Sequence, residues 1–314
     1  MAKSVGTRSP RAARSPRRSA AASPETRPRS FPPGLGFTPK AEKKAPKVES
    51  PAGGAVAPPA AAEGTLPCLA YVVMYHIVGV GGLVWWHASQ HAVLSPMHIF
   101  LSVFCVINAW IAVCEISLLF YSAEIQKQHA AFGAKFGEGV LPPVFLFQRV
   151  RARELLSLKY WAVMWSTYCA LDPSYADTTT FGFCVDVGNG MTTLLPTVLF
   201  AVGMSSPVLS ARALGMLGLL KFYQELYGTC VYFFQYVFNQ RYLRSPSAHV
   251  WGIVVPANGI WMVGPAVGMW ACSRLILEGS FDVFQSEGLS LAAFEPPPAP
   301  PTWLEEVKSS FTSS

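Results

Sequence analysis

Apolar positions along this chain gather into five long stretches, at roughly 66–88, 97–121, 179–203, 208–236 and 248–277. Each approaches or exceeds the ~20 residues that an α-helix needs to cross a hydrocarbon core. The pattern predicts an all-α polytopic membrane protein built as a five-helix transmembrane bundle over residues 65–278. The first stretch ends in Trp85-Trp86-His87 and the second on Phe120-Tyr121, aromatic groups suited to a membrane interface. Gly188, Gly190 and Pro196 interrupt the third stretch, and Pro256 and Pro265 the fifth. Such residues are tolerated at membrane depth when neighbouring protein resatisfies the backbone.

The longest connection, 122–178, holds two segments of interest. EGVLPPVFLFQ is too short to cross and is broken by Pro142-Pro143. RVRARELLSLKYWAVMW alternates cationic groups with Leu and Trp, and over 149–159 it reads as a helix lying on the membrane surface. A short sixth span at 155–171 is the alternative. DPSYADTTT then reads as the entry loop of the third span.

Composition sharpens this picture at the ends. Mean hydropathy is +0.32 with 51% apolar and 13% charged residues, although the first sixty positions are strongly polar. Residues 1–50 hold twelve Lys/Arg and three Glu, a charge of +9, so the net +6 of the whole chain leaves −3 for the rest. Residues 1–64 lack a periodic apolar face and read as a disordered Pro/Ser/Ala-rich tail; 279–314 reads as a short C-terminal tail. The first 24 residues contain no acidic group, which suits a mitochondrial or plastid transit peptide as well as a cytosolic tail on an endoplasmic-reticulum protein. The basic tail points to anionic membrane lipid rather than nucleic acid, since no aromatic interleaving accompanies it. Seven widely spaced Cys fit neither a disulfide framework nor a zinc site, and no cofactor or metal is expected. His87, His91 and His98 cluster where the first two stretches meet; interfacial polar contacts are the expectation and metal binding the alternative.

The polar residues inside the stretches carry the chemistry. A carboxylate at membrane depth is costly unless it faces a protein-lined cavity, which singles out Glu115 and Asp186. Asp186 and Asn189 are three apart and share a helix face, with Thr193 one turn on. Asn258 and Trp261 repeat that spacing on the fifth stretch, and Asn108 lies two turns before Glu115 on the second. Tyr223, Gln224 and Tyr227 offer hydroxyl and amide groups from the fourth, while Glu225 reads as an interfacial charge paired with Lys221. If these faces converge they line one pocket. A proton donor and a carboxylate on either side of an alkene shift a double bond by protonation and deprotonation. The face of Trp261 would stabilise the intervening carbocation. Two carboxylates would equally suit a proton path, an amine-binding pocket or hydrogen bonding between helices.

Four segments of this chain resemble the emopamil-binding protein family, the sterol Δ8–Δ7 isomerases of the EXPERA group. YCALDPSYADTTTFGFCVD, from Tyr168, is similar to the family's Tyr, Asp-x-x-Tyr, loop and Cys-x-acidic run, and puts Asp186 where the family carries a Glu. QELYGTCVYFF resembles its Gln-x-Tyr-Gly-x-x-x-Tyr-Phe signature, with one extra residue between Gln224 and Tyr227. ANGIWMVGP matches Asn-x-x-Trp-x-x-x-Pro, placing Asn258 and Trp261, and CEISLLFY places Glu115 on the second-span acidic position. The family's isomerases carry His one turn before that Glu, where this chain has Ile111. The resemblance covers about 70–277 and implies the bundle and catalytic roles for Glu115, Asp186, Trp261 and Asn258, while the converging helix faces would make a ligand wall of Asn108, Asn189, Thr193, Tyr223, Gln224 and Tyr227. It implies a sterol or other lipid-like small molecule as partner, with a homodimer allowed, in the endoplasmic reticulum or else a plastid or mitochondrial membrane. Three functions stay open: a double-bond isomerase, a non-catalytic sterol or lipid binder, and a structural subunit of an organelle membrane complex.

Overall fold

The computed structural model describes residues 64–285 and 288–290, so the basic tail and most of the C-terminal tail lie outside the described residues. Ten helices follow in order: α1 (Cys68–His91), α2 (Pro96–Phe120), α3 (Ser122–Phe136), α4 (Ala152–Leu155), α5 (Leu158–Tyr168), α6 (Phe181–Gly203), α7 (Ala211–Phe238), α8 (Ser247–His249), α9 (Val255–Glu278) and α10 (Asp282–Gln285). A π-helical turn at Val250–Val254 joins α8 to α9. Two-residue strands β1 (Leu66–Pro67) and β3 (Arg149–Val150) pair antiparallel, as do β2 (Val93–Leu94) and β4 (Leu289–Ser290).

Local chemistry sets the helix ends. Ser95, Thr180 and Ser210 each accept a backbone N–H from the first turn of α2, α6 and α7, and Pro96 opens α2 where a missing N–H costs nothing. Gly279, in the left-handed region at φ 69°, closes α9. Pro196 and Pro265 lie inside α6 and α9 without ending them.

Four helices are long and apolar enough to cross a membrane: α1, α2, α6 and the run Ser247–Glu278. The fourth predicted stretch, α7, is the longest single α-helix among the described residues at 28 residues but is not among these four, because it carries Lys221 and Glu225 in its middle. The bundle is made by α2 packing on α6, α6 on α7, and α7 along α9, with α1 outside on α2. The ring closes where the Phe104 and Trp261 rings meet edge to face, their centroids 5.3 Å apart. A Cβ on Gly264 would fall 2.3 Å from the Phe104 ring, so only glycine admits that crossing.

The connection 122–178 departs from expectation. It contains α3, which the apolar pattern does not mark, and 149–159 is not one surface helix: it comprises β3, the single turn α4 and the start of α5. Nor is 155–171 a span, since α5 has 11 residues. α5 packs against α2 and α3, anchored by Trp165 Nε1 donating to Cys114 O at 2.7 Å and by Ser166 Oγ donating to Gln128 at 2.7 Å. The fixed contacts outweigh its cationic flank because they satisfy polar groups that lipid would leave bare.

His87, His91 and His98 converge on Ser205 beyond the end of α6. The rings of His87 and His98 stack at 3.8 Å, both reach Ser205 Oγ, His91 Nε2 donates to Ser205 O, and His87 Nε2 donates to Phe284 O at 2.9 Å. They tie α1, α2 and α10 together rather than forming a recognisable metal set among the described residues.

Glu225 is paired with Lys221 as expected, but the pair is buried rather than interfacial. Both residues are 3% exposed or less, Lys221 Nζ lies 2.7 and 2.9 Å from the two carboxylate oxygens, and Asn108 Nδ2 donates to the same carboxylate. The ammonium also lies 4.3 Å from the centre of the Phe222 ring. Breaking a buried pair by removing one partner costs about 3–5 kcal/mol. Lys221→Met is therefore expected to lower the unfolding free energy in micelles by that amount. Adding Glu225→Gln, which keeps an amide oxygen for Asn108, recovers most of it. Equal losses in the single and double variants would contradict the ion-pair account.

Candidate functional site

A cavity of about 460 Å³ opens between the helices, within the ~300–1,000 Å³ of pockets that bury a small molecule. Each major element except α1 and α3 contributes a wall: Ile107, Ile111 and Glu115 from α2, Trp165 and Tyr168 from α5, Asp186 and Asn189 from α6, Thr229 and Tyr232 from α7, Asn258 and Trp261 from α9. Tyr175 enters from the 3₁₀ turn Pro173–Ala176. The DPSYADTTT loop does serve as a helix entry: Asp172 accepts from Ser174 N, Asp177 from Thr179 N, and Thr180 caps α6. The hydroxyl and amide of Thr179 hold the exposed Asp177 carboxyl below its usual range.

The polar groups of the wall are unequally committed. Glu115 is buried and makes no hydrogen bond among the described residues. Asp186 is half-buried on the facing helix, with Tyr175 on the same cavity wall. Burial pushes that phenol well above its ordinary range, so it remains an O–H donor. Asn189 Oδ1 accepts from Gln224 Nε2 at 3.0 Å, which leaves its Nδ2 facing the cavity. Asn258 Nδ2 donates to Tyr168 Oη at 2.9 Å and to Val254 O at 2.8 Å, which leaves its Oδ1 as the free atom. Two carboxyls, one amide oxygen and one amide N–H therefore meet aromatic faces in a single apolar chamber.

Of the residues singled out in the sequence, Glu115, Asp186, Asn189, Asn258 and Trp261 line this cavity. The others do not. Asn108 shares a face with Glu115 but turns to Glu225 instead. Thr193 is buried with its hydroxyl on Asn189 O. Gln224 stands behind the wall, bonded to Asn189 and to Thr192. Tyr223 and Tyr227 stack on one another but are 56% and 57% exposed, so they face outward. α7 turns Gly228, Thr229 and Tyr232 inward in their place. Trp165, Tyr168, Tyr175 and Tyr232 escaped the selection by face, and three of them belong to the connection 122–178. The available signal was the motif from Tyr168, whose Tyr168 and Tyr175 both reach the cavity.

The close approach of α2 and α6 sets how near the two carboxyls come. A Cβ on Gly190 would fall 2.7 Å from Glu115 Cβ and 2.8 Å from Ile116 N. Gly190→Ala is expected to destabilise by about 1–3 kcal/mol through overpacking. Gly188→Ala, where a Cβ meets nothing within 4 Å, should instead gain about 0.5–1 kcal/mol of helix propensity. Thermal midpoints of the two variants in detergent check this, and a Gly190→Ala variant as stable as wild type would contradict the close contact.

Compared with known proteins, the chain matches no family model, no curated protein and no solved structure.

Proposed function

We propose that this chain is a five-span membrane protein, in the endoplasmic reticulum or another organelle, that binds a sterol-like molecule in the cavity and shifts a ring double bond. The convergence of Glu115, Asp186, Asn258 and Trp261 on one chamber carries this reading. These residues come from three separate helices, and the four were selected from motifs similar to the sterol isomerases. α7 supplies the fifth span: its 28 residues extend ~42 Å, its two central charges satisfy one another inside the bundle, and Leu220, Tyr223, Phe234 and Phe238 face outward.

In the proposed reaction the Glu115 carboxyl, which has no hydrogen-bond partner among the described residues, delivers its proton to one alkene carbon. The π pair forms the new C–H bond and leaves a tertiary carbocation, which the indole face of Trp261 and the Asn258 oxygen stabilise. Asp186 removes a proton from the adjacent carbon, and that C–H pair becomes the new π bond. A proton then returns from Asp186 to Glu115, so nothing is consumed.

A second reading, a non-catalytic sterol or lipid binder, is favoured by one observation. Ile111 lines the cavity at the position where the similar isomerases carry a proton-handling His.

Conversion of a Δ8 sterol in a host lacking its own isomerase separates the two. Asp186→Asn and Glu115→Gln should each insert normally and lose conversion, while Trp261→Phe lowers turnover partly because the smaller ring still stabilises a cation. Without an imidazole in the chemistry, the wild-type pH–rate profile should be governed by the two carboxyl groups and show no limb near the ~6.5 of an ordinary His. A well-inserted wild type that converts none of several Δ8 sterols, yet retains them on purification, makes the protein a binder.

A further inference from the structure

The histidines where α1 and α2 meet belong to one hydrogen-bonded line whose direction is fixed by chemistry. Phe284 O can only accept, so His87 carries its hydrogen on Nε2 and, in a neutral ring, its Nδ1 must accept. The group offered there is Ser205 Oγ at 3.2 Å, which commits the single hydrogen of that hydroxyl. Ser205 Oγ is also 2.9 Å from His98 Nε2, which must then be a donor. His98 Nδ1, at 3.5 Å from Ser102 Oγ, is left as the ring nitrogen of this pair that is open to a proton. A charge on His98 would meet little to offset it. The ring is 1% exposed, stacks at 3.8 Å on His87 and lies in the first turn of α2, where the helix dipole disfavours a cation. The neighbouring elements engage their charged groups elsewhere: Arg212 of α7 donates to Ile276 O, Arg274 and Glu278 of α9 pair with each other, and the exposed Asp282 of α10 accepts Ser280 Oγ at 2.9 Å. His91, the third imidazole, donates to Ser205 O.

A strap made of α10 and β4 lies over this end of α2. β4 pairs with β2, and a Cβ on Gly288 would fall 2.5 Å from Leu94 O and 2.9 Å from Ser95 Cα, the residue that caps α2 and accepts His98 N. Its hold is small beside that of a spanning helix: a two-residue strand pair, the bond from His87 to Phe284 O, and the burial of Val283 and Phe284 against a cluster that includes Phe200. We propose that α10 and β4 form a proton-released strap, docked while His98 is neutral and lifted when His98 takes up a proton. Water reaches the ring only when the strap lifts, so the lifted form alone admits the charge, and acid favours that form by linkage. Nothing in this depends on what the cavity binds.

The experiment uses the full chain in phosphatidylcholine nanodiscs, with the exposed Cys184 and Cys230 changed to Ser and spin labels carried on Ser89→Cys and Leu289→Cys. The distance between the labels is expected to be single at about pH 8 and to gain a longer population at about pH 5, on either side of the ordinary His range. Below ~6.5 the ratio of lifted to docked strap should grow about tenfold per pH unit, the slope of one proton. His98→Gln, which takes up no proton, should keep the short distance at both values, whereas His129→Gln on α3 should respond as the wild type does. A wild type with the short distance alone at both values, or a His98→Gln variant that still lifts, would overturn the proposal. A second measurement needs no histidine variant. Leu94 and Leu289 are opposite one another in the strand pair, so a disulfide between Leu94→Cys and Leu289→Cys fastens the strap. Release and proton uptake are coupled reciprocally, so the ¹⁵N-histidine spectrum of the fastened chain should show His98 neutral at a pH where the unfastened chain shows it charged. Identical His98 titrations with and without the disulfide would also overturn it.

Discussion

Polar side chains in an apolar surround stay where their hydrogen bonds put them, because no water competes for their donors and acceptors. The bundle depends on this constraint at each level. Lys221, Glu225 and Asn108 neutralise one another between α7 and α2, which lets a helix with two central charges lie among apolar neighbours. Gln224 occupies the Asn189 oxygen, and Tyr168 occupies one N–H of Asn258. The groups left over are those the cavity wall presents, and Glu115 is chief among them.

That selection explains how a chamber lined mainly by apolar surface acquires a defined polarity. Donors and acceptors that satisfy one another contribute rigidity, and the few left unsatisfied contribute chemistry. Two buried clusters flank the chamber. One is built on Phe104, Phe200, Leu214, Phe222 and Leu275, the other on Leu118, Trp165, Tyr175, Tyr232 and Val254. The second cluster draws on the connection between α2 and α6, so a segment outside the spans becomes a structural wall of the site. A lipid-like occupant would then meet aromatic and aliphatic side chains on most of its surface and a polar group at a few fixed points, as small-molecule pockets generally do.

Much of this was present in the order of residues alone. Apolar length marked the long helices α1, α2, α6 and α7 and the run ending in α9 to within a few residues, since crossing a hydrocarbon core requires a set number of 1.5 Å steps. The cost of a carboxylate at depth marked Glu115 and Asp186, and three-residue spacing attached Asn189 and Trp261 to their partners Asp186 and Asn258. Helical period states which side chains share a face, and these five reached the cavity because their faces happened to turn inward.

Which face turns inward was decided only by packing. On α2, Asn108 and Glu115 share a face, yet Asn108 meets the Lys221–Glu225 pair of α7 and Glu115 meets the cavity. On α7, Tyr223 and Tyr227 look as suitable as Thr229 and Tyr232, but α6 and α9 take the opposite side of the helix. The contributions of Trp165, Tyr168 and Tyr175 required knowing that α5 folds back onto α2, where the Trp165 indole N–H donates to Cys114 O across 51 residues of sequence. Local spacing determines the members of a face; the close approach at Gly190 and Gly264, and the pairing of buried polar groups across helices, determine which faces meet.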